Sequence, residues 1–280
     1  MTSQPPTATA FSLGPALLFC PADRPDRFQK ALDRADAVIL DLEDAVAPGD
    51  RPAARDAVRS GGLDAARVIV RINPADSADF GEDLAAVNAS GYRTVMLPKA
   101  ASQRQVRRIA AFDDSLAVIA LCENAAGVAA AQGIATESNV VALMWGAEDL
   151  IASLGGTASR FRNGRYRPVA DYARSTILIA AGAAGKAAID TVHLDIADTN
   201  GLAAEADDAV ASGFSASACI HPSQVETIRA AYRPSDGEVA EAQAVLAAAR
   251  EHPGVFRWRD QMVDAPVLRH AEAIMRRART

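Results

Sequence analysis

The stretch Val38-Ile39-Leu40-Asp41-Leu42-Glu43-Asp44-Ala45-Val46 decides how this chain is read. Its first three residues are aliphatic and suit a buried strand. Asp41, Glu43 and Asp44 then arrive within four residues. Acidic side chains form strands poorly and are costly to bury. An apolar strand that closes on three carboxylates therefore marks a wet, charged strand end.

The same pattern recurs along the chain. Eight apolar segments read as strands: ALLFCP (16–21), AVILDLED (37–44), VIVRIN (68–73), TVMLPK (94–99), AVIALCEN (117–124), VVALMWGAED (140–149), TVHLDIAD (191–198) and SACIHP (217–222). Near-continuous apolar runs suit parallel strands covered on both faces. Helical stretches lie between them, among them 25–35, 102–112, 171–186 and 201–212. Strand and helix alternate, which is the signature of βαβ units. Eight such units in 280 residues predict a closed (β/α)8 TIM barrel, a fold of roughly 250 residues, rather than an open doubly wound sheet. The first strand–helix junction, Phe19-Cys20-Pro21-Ala22-Asp23, has none of the glycines of a dinucleotide-binding turn.

The barrel is expected over 13–234. Residues 1–12 are Ser/Thr/Pro-rich, without a basic segment or a long apolar run, and read as a disordered tail rather than a signal peptide. The connection 151–168 is long and carries Gly155-Gly156, Asn163-Gly164 and the arginines 160, 162, 165 and 167. A loop of that length is functional or disordered. Residues 235–280 form a C-terminal helical extension: a helix at 235–252, the loop VFRWRDQMVDAP (255–266) and a final helix to about 277. It lies outside the repeating unit, so it either caps the barrel or reaches another subunit.

Half of the residues are hydrophobic and 23% are charged, enough for a sizeable core. The net charge of −6 argues against general nucleic-acid affinity. No apolar run approaches the roughly 18 residues of a membrane span. Cys20, Cys122 and Cys219 are odd in number, widely spaced and each in an expected strand. They read as buried reduced thiols of a cytoplasmic protein, with no disulfide or zinc spacing.

In such a barrel, chemistry gathers at the C-terminal ends of the strands. The segments deliver Asp41, Glu43 and Asp44, then Arg71 and Asn73, then Lys99, Glu123, Asn124, Glu148, Asp149, Asp195, Asp198 and His221. Packed carboxylates raise one another's pKa unless a cation joins them. Without a His/Cys ligand set, hard oxygen donors favour Mg²⁺, held by one or two carboxylates, waters and substrate. Glu123 and Asp149 are the best metal pair, ending adjacent strands beside small residues that leave room for a ligand. Arg71, Glu123, Lys99, Gly146, Ala147 and Glu148 are the expected substrate contacts. Each residue has a plainer reading as well. Asp23 and Asp198 suit helix caps, Arg71 a structural partner of the acids, and Lys99 a counter-ion rather than a Schiff-base lysine. His221 suits a hydrogen-bonded strand end, and Met144 and Trp145 the core.

At these residues the chain resembles the citrate lyase β-subunit-like family of aldolases, especially its stand-alone members that act on coenzyme A thioesters. The likeness runs through LLFCPADRPDRFQKA, VILDLEDAV, VRIN, MLPKA, ENAAG, WGAEDL, CIHPSQV and QMVDAPV. It implies a homotrimer of (β/α)8 barrels, Mg²⁺ on Glu123 and Asp149, and Asp44 and Glu43 holding metal-bound waters. It implies that Arg71 contacts substrate, and that Asp264 is the acid the C-terminal segment delivers into a neighbouring subunit's site. The implied reaction is Mg²⁺-dependent carbon–carbon cleavage of a 3-hydroxyacyl-CoA thioester of the citramalyl-, malyl-, citryl- or hydroxymethylglutaryl-CoA type. A malyl-CoA-type thioesterase, or a lyase subunit working on acyl-carrier-protein thioesters, are the rival activities. The sequence departs from the family pattern at Gly14-Pro15, where Arg-Ser is common, and at Ala216-Ser217, where a lysine is missing. It departs again at Asp260-Gln261, where Asp-Gly is common.

Overall fold

The structure is a computed structural model that describes residues 11–252 and 254–278. The chain divides into two compact units, one ending at Ile228 and one beginning at Arg229. The tail expected at 1–12 falls mostly outside the described residues. Phe11 is described, and it packs with Leu13 against the core of the first unit.

In chain order the first unit contains β1 (Ala16–Pro21), α1 (Phe28–Arg34), β2 (Ala37–Asp41), α2 (Arg51–Ser60), β3 (Val68–Arg71) and α3 (Phe80–Ser90). Then come β4 (Thr94–Leu97), α4 (Gln103–Phe112), β5 (Ala117–Cys122), α5 (Ala125–Ala135), β6 (Val140–Trp145) and α6 (Ala147–Ser153). After these follow α7 (Pro168–Ala183), β7 (Ala187–Asp190), α8 (Thr199–Ser212), β8 (Ala216–Cys219) and α9 (Val225–Tyr232), across which the unit boundary runs. The eight strands are parallel, pair in sequence order and close through β1 and β8, giving the (β/α)8 TIM barrel.

Seven expected strands form within a few residues of their predicted bounds, but most of them end before the expected segment does. Glu43, Asp44, Glu123, Glu148 and Asp149 therefore sit in the turns or first helical turns just past the strands. The seventh expected strand is displaced. β7 is Ala187–Asp190, and 191–198 is the loop that follows it. The helix expected at 171–186 and the strand expected at 191–198 leave 187–190 unassigned, because Ala187 and Ala188 carry no strand signal. The alternation in TVHLDIAD imitates a half-buried strand, yet Leu194 and Ile196 are exposed. Asp195 and Asp198 are thus loop residues, and Asp198 caps α8 by accepting from the Gly201 N–H at 2.8 Å. Asp23 is not a cap: the turn at Pro25–Arg27 begins at Arg24 with no side-chain cap.

The barrel lumen is filled by alternate residues of each strand, as the two-residue strand period requires. Leu17, Ala37 and Ile39, Ile69, Met96, Ile119 and Leu121, Ala142 and Met144, Ile189, and Ala216 and Ala218 form one buried cluster. Outside the lumen, Asp83 of α3 is fully buried and takes three hydrogen bonds. Arg55 Nε of α2 donates at 2.7 Å, and Asn73 donates its backbone N–H at 2.7 Å and Nδ2 at 2.8 Å. Asn73 Nδ2 also donates to the Leu42 carbonyl at 2.9 Å, which ties the end of β3 to the turn after β2.

The second unit contains α10 (Asp236–Glu251), a hairpin of β9 (Phe256–Trp258) and β10 (Gln261–Val263), and α11 (Ala265–Arg277). Ala242, Val245, Val263, Ala271 and Ile274 make its core. The expected loop 255–266 is mostly this hairpin. Its two-residue turn, Arg259-Asp260, has both φ angles positive (43° and 64°), the geometry that Asn-Gly normally signals. Arg-Asp gives no such signal, so the residue types alone do not reveal the two strands. Among the described residues, no helix is long and apolar enough to cross a membrane.

Removing the Asp83 carboxylate leaves the buried Arg55 Nε and the Asn73 backbone N–H without their acceptor, although Arg55 keeps its pair with Asp79. Asp83→Ala should therefore lower the unfolding free energy by about 3–5 kcal/mol, the cost of breaking a buried pair. Urea unfolding checks this; a loss below about 1 kcal/mol, as for a surface ion pair, would contradict it.

Candidate functional site

The lumen parity continues past the last hydrophobic layer. Asp41 follows Ala37 and Ile39, Arg71 follows Ile69, Glu123 follows Ile119 and Leu121, and Gly146 follows Ala142 and Met144. Ile220 follows Ala216 and Ala218 in the same way. These top-layer residues, with Phe19, Pro21 and Thr191, line a cavity of about 420 Å³ at the C-terminal mouth of the barrel. Asp44, Ala147, Glu148 and Asp149 line it from the turns above, and Met144 and Leu121 from the floor. Trp145, of opposite parity, is fully buried in the core as expected.

Asp41 and Arg71 form a two-pronged pair. Arg71 donates from Nε at 2.7 Å and from Nη2 at 2.6 Å to the two Asp41 oxygens. The Asp41 carboxylate also accepts the backbone N–H groups of Glu43 at 2.9 Å and Ala45 at 3.2 Å. Its charge is thereby fully matched, which makes it the structural partner of the arginine. Arg71 is only 12% exposed and lies over the Phe19 ring, 5.0 Å from its centroid. A guanidinium has five N–H groups. Two are committed to Asp41, leaving others for a ligand in the cavity.

Glu43 lies behind the cavity wall, 2% exposed, between Arg71 and Lys99. Burial raises its pKa, against the lowering effect of Arg71 and Lys99. Its Oε2 is 3.0 Å from Arg71 Nη1 but has no aligned hydrogen bond. Lys99 pairs with Glu43 and lies 3.5 Å from Asp44 Oδ2. Burial lowers the Lys99 pKa and the acids Glu43, Asp44 and Glu123 together raise it more, so the net shift is upward. An ammonium held in its charged form is a counter-ion, not a Schiff-base nucleophile. The Lys99 side chain pairs with acids and is not among the cavity-lining groups.

Glu123 is the opposite of Asp41. It is 3% exposed and makes no ion pair among the described residues. Its Oε1 accepts the Lys99 backbone N–H at 2.9 Å, a donor aimed there by the left-handed conformation of Lys99 (φ 52°). Non-glycine residues are strained in that region. Burial, together with the negative charges of Asp149 and Glu43, pushes the Glu123 pKa up to about 8. A Cβ at position 146 would stand 2.9 Å from both Cβ and Oε2 of Glu123, so only glycine lets this carboxyl take its place. Asp149, in the first turn of α6, faces the same cavity. Among the described residues, no group of three or more His, Cys, Asp or Glu side chains could hold a metal. Two uncompensated carboxylates on a wet cavity fit a hard divalent cation that takes its other ligands from water and substrate. They do not fit a closed zinc cage.

The long connection after α6 is pinned down. Ser159 donates to Glu148, the cavity residue beside Asp149. Arg160 pairs with Glu205 of α8 and covers the Tyr166 ring, 3.7 Å from its centroid. Tyr166 packs edge-on against Trp145, whose Nε1 donates to Asp190 at 2.6 Å. Arg174 also donates to Asp190, at 2.8 Å from Nη2. Reading the residues alone misses Asp190, because it sets the seventh strand too late. The signal is nonetheless the one that marks the other strand ends, an apolar run closed by an acid, here Ala-Ala-Ile-Asp.

Asp264 lies in the second unit. It is half-buried and caps α11, accepting the Val267 N–H at 3.3 Å, its plainer role. His221 is the hydrogen-bonded strand-end histidine expected, with Nδ1 accepting the Ser223 N–H at 3.2 Å. The three cysteines are free and buried.

Comparison with known proteins places this geometry. The family model described as HpcH/HpaI aldolase/citrate lyase matches residues 16–222. A citrate lyase subunit beta-like protein of Mycobacterium tuberculosis is 55% identical over 95% of this chain and 96% of its own length. A (3S)-malyl-CoA thioesterase of Cereibacter sphaeroides is 32% identical over 84% of this chain and 83% of its own. The crystal structure of the M. tuberculosis protein CitE in complex with magnesium, acetoacetate and coenzyme A is 54% identical. It superposes with a TM-score of 0.88 over 96% of this chain and 99% of that one.

Divalent-cation affinity should rise with pH and level off near 8, the Glu123 pKa. Below that value the carboxyl must give up its proton to bind, so each pH unit costs up to about tenfold. Above it the group is already ionised. Calorimetric titration across this range checks the trend, and a flat profile would remove Glu123 from the ligand set. Gly146→Ala should weaken the same binding while the protein stays folded.

Proposed function

The chain belongs to the HpcH/HpaI aldolase/citrate lyase family, and from that premise we propose that it is a Mg²⁺-dependent carbon–carbon lyase acting on a 3-hydroxyacyl-CoA thioester. The observation that carries this reading is the placement of Glu123, Asp149 and Arg71 on one cavity at the barrel mouth. Mg²⁺ held by Glu123 and Asp149 supplies a Lewis acid for the carboxylate and hydroxyl oxygens of the hydroxy acid. The remaining N–H groups of Arg71 face the thioester carbonyl and stabilise the oxyanion of the enolate. Asp41 holds that fork in place, so the donor needs no reorganisation during the reaction. Asp44, on the cavity wall, orients water at the acidic side, whereas Glu43, expected to share that role, is buried behind the wall and holds Arg71 and Lys99 instead.

Cleavage breaks the C2–C3 bond. A base takes the hydroxyl proton, the C3 oxygen becomes a carbonyl, and the bonding pair moves onto the thioester as an enolate. Protonation at C2 then gives the acyl-CoA, and the other fragment leaves as an oxo acid. In this proposal Asp264 of a neighbouring subunit handles the proton, within a homotrimer. Substrates of the citramalyl-, malyl-, citryl- or hydroxymethylglutaryl-CoA type all satisfy this scheme. The thioesterase among the relatives supports a second reading, in which the thioester is hydrolysed.

A panel of these thioesters, incubated with the protein and Mg²⁺, tests both readings. An oxo acid with an acyl-CoA product supports the lyase; free coenzyme A with the intact hydroxy diacid supports the thioesterase. Arg71→Lys keeps the charge but loses the planar fork. It should lower kcat roughly 100-fold or more, as loss of an oxyanion donor does. If it keeps most of the activity, Arg71 is a structural counter-ion.

Asp264→Ala should abolish turnover and leave Mg²⁺ binding intact. Mixing it with inactive Arg71→Ala under subunit exchange should restore part of the activity, by pairing an intact Arg71 with a neighbour's Asp264. Mixed oligomers that form but stay inactive would show that Asp264 does not act across an interface.

A further inference from the structure

Among the described residues, three other than glycine have a positive φ. Arg259 and Asp260 make the hairpin turn of the second unit, which requires two such residues. The third is Lys99, at φ 52°, in the turn between β4 and α4. A proline followed by a positive φ is the pattern of a type II turn, which takes glycine or asparagine at that place. A lysine there presses its Cβ against the following carbonyl oxygen. Such strain persists only where surrounding contacts offset it.

Both ends of Lys99 are engaged. Its backbone N–H donates to Glu123 Oε1 at 2.9 Å. Its Nζ pairs with Glu43, buried after β2, and lies 3.5 Å from Asp44 Oδ2. The chain is also fastened on either side of the turn. Leu97 ends β4, within the barrel. Beyond the turn, Asn124 Nδ2 donates to the Lys99 carbonyl at 3.2 Å, and the Ala100 N–H donates to the Leu121 carbonyl at 3.0 Å. With both flanks fixed, Lys99 leaves the left-handed region only if its Cα moves. That movement draws Nζ off Glu43 and the N–H off Glu123 together.

We propose that Lys99 is a positioning residue for Glu123: the ion pair of its side chain with Glu43 holds its backbone left-handed and so keeps its N–H on the Glu123 carboxyl. This rests on the reading of Glu123 as a Mg²⁺ ligand and goes beyond it, by naming what holds that carboxyl in place. A carboxyl already held meets a cation without first being ordered. Charge alone makes the opposite demand. A lysine among these carboxylates repels a cation, so a lysine that served only as a counter-ion would weaken Mg²⁺ binding. The two roles therefore differ in the sign of what its removal does.

Lys99→Met and Lys99→Gly separate them. Both strip Glu43 of the same charge, but only glycine is unstrained at positive φ. The side chain of Lys99 is 36% exposed, which leaves room for methionine. Mg²⁺ affinity of the full-length protein, measured by calorimetry, should be about tenfold weaker in Lys99→Met than in Lys99→Gly, the factor that the left-handed penalty of a side chain implies. Lys99→Gly should bind at least as tightly as the wild type, because it keeps the turn and loses a like charge. Lys99→Ala, strained alike but without the bulk, should behave as Lys99→Met does. Crystal structures of the variants read the turn directly. Residue 99 should keep its positive φ and its N–H on Glu123 in Lys99→Gly and lose both in Lys99→Met. Equal affinities in the glycine, alanine and methionine variants would overturn the proposal, because charge would then be the whole effect. A methionine that stays left-handed with its N–H on Glu123 would overturn it too, since the turn would not need the ion pair. If the wild type binds no Mg²⁺, the metal reading of Glu123 fails, and the crystal structures still decide the positioning role by the same criterion.

Discussion

Barrel closure sets the side of every strand that faces inward, and the site depends on that constraint. In a closed parallel barrel, alternate residues must fill the lumen. Leu17, Ile39, Ile69, Ile119, Ala142 and Ala218 do so. Further along each strand, the same parity places a residue at the mouth. On β2, β3 and β5 that residue is charged: Asp41, Arg71 and Glu123. On β6 and β8 it is Gly146 and Ile220. A one-residue slip in any strand would turn its mouth residue away from the cavity. The hydrophobic layers beneath therefore fix the registration of the charged layer above.

The mouth holds two classes of buried carboxylate. Asp41 is matched by a two-pronged arginine and two backbone N–H groups. Such an acid is an anchor, satisfied entirely within the protein. Glu123 has one backbone donor, no ion pair among the described residues and a like charge nearby on Asp149. Its raised pKa states the same fact in another form: burial disfavours its charge until a cation arrives. Two strand ends on one mouth thus supply one acid that holds the arginine and another that burial leaves short of a cation.

Legibility follows the strength of the local signal. VILDLED shows both strand and strand end, because an unbroken aliphatic run followed by acids has few other uses. The meeting of Glu123 and Asp149 on one cavity is legible too, since they close adjacent segments beside small residues. β7 is not legible. Ala187-Ala188-Ile189-Asp190 is short and alanine-rich, and the exposed alternation after it looks more strand-like than the strand. The hairpin at Phe256–Val263 is hidden for a similar reason, its turn being made by Arg259-Asp260 in place of glycine. In both places tertiary pairing overrides weak local preference.

The sequence by itself determined the number of βα units, the parallel barrel and the six charged residues that line its mouth, Asp41, Asp44, Arg71, Glu123, Glu148 and Asp149, although it also counted Lys99, Asp195 and Asp198 among them. Periodicity and residue type are local properties, and eight repeats of one pattern leave little freedom. Only the tertiary structure decided how those charges are divided. It gave Asp41 to Arg71 and Glu43 to Lys99, and left Glu123 and Asp149 without a cation. These are contacts between residues 24 to 56 positions apart. Their distances are set by barrel closure and by the Cβ missing at Gly146, and no local stretch of sequence encodes either.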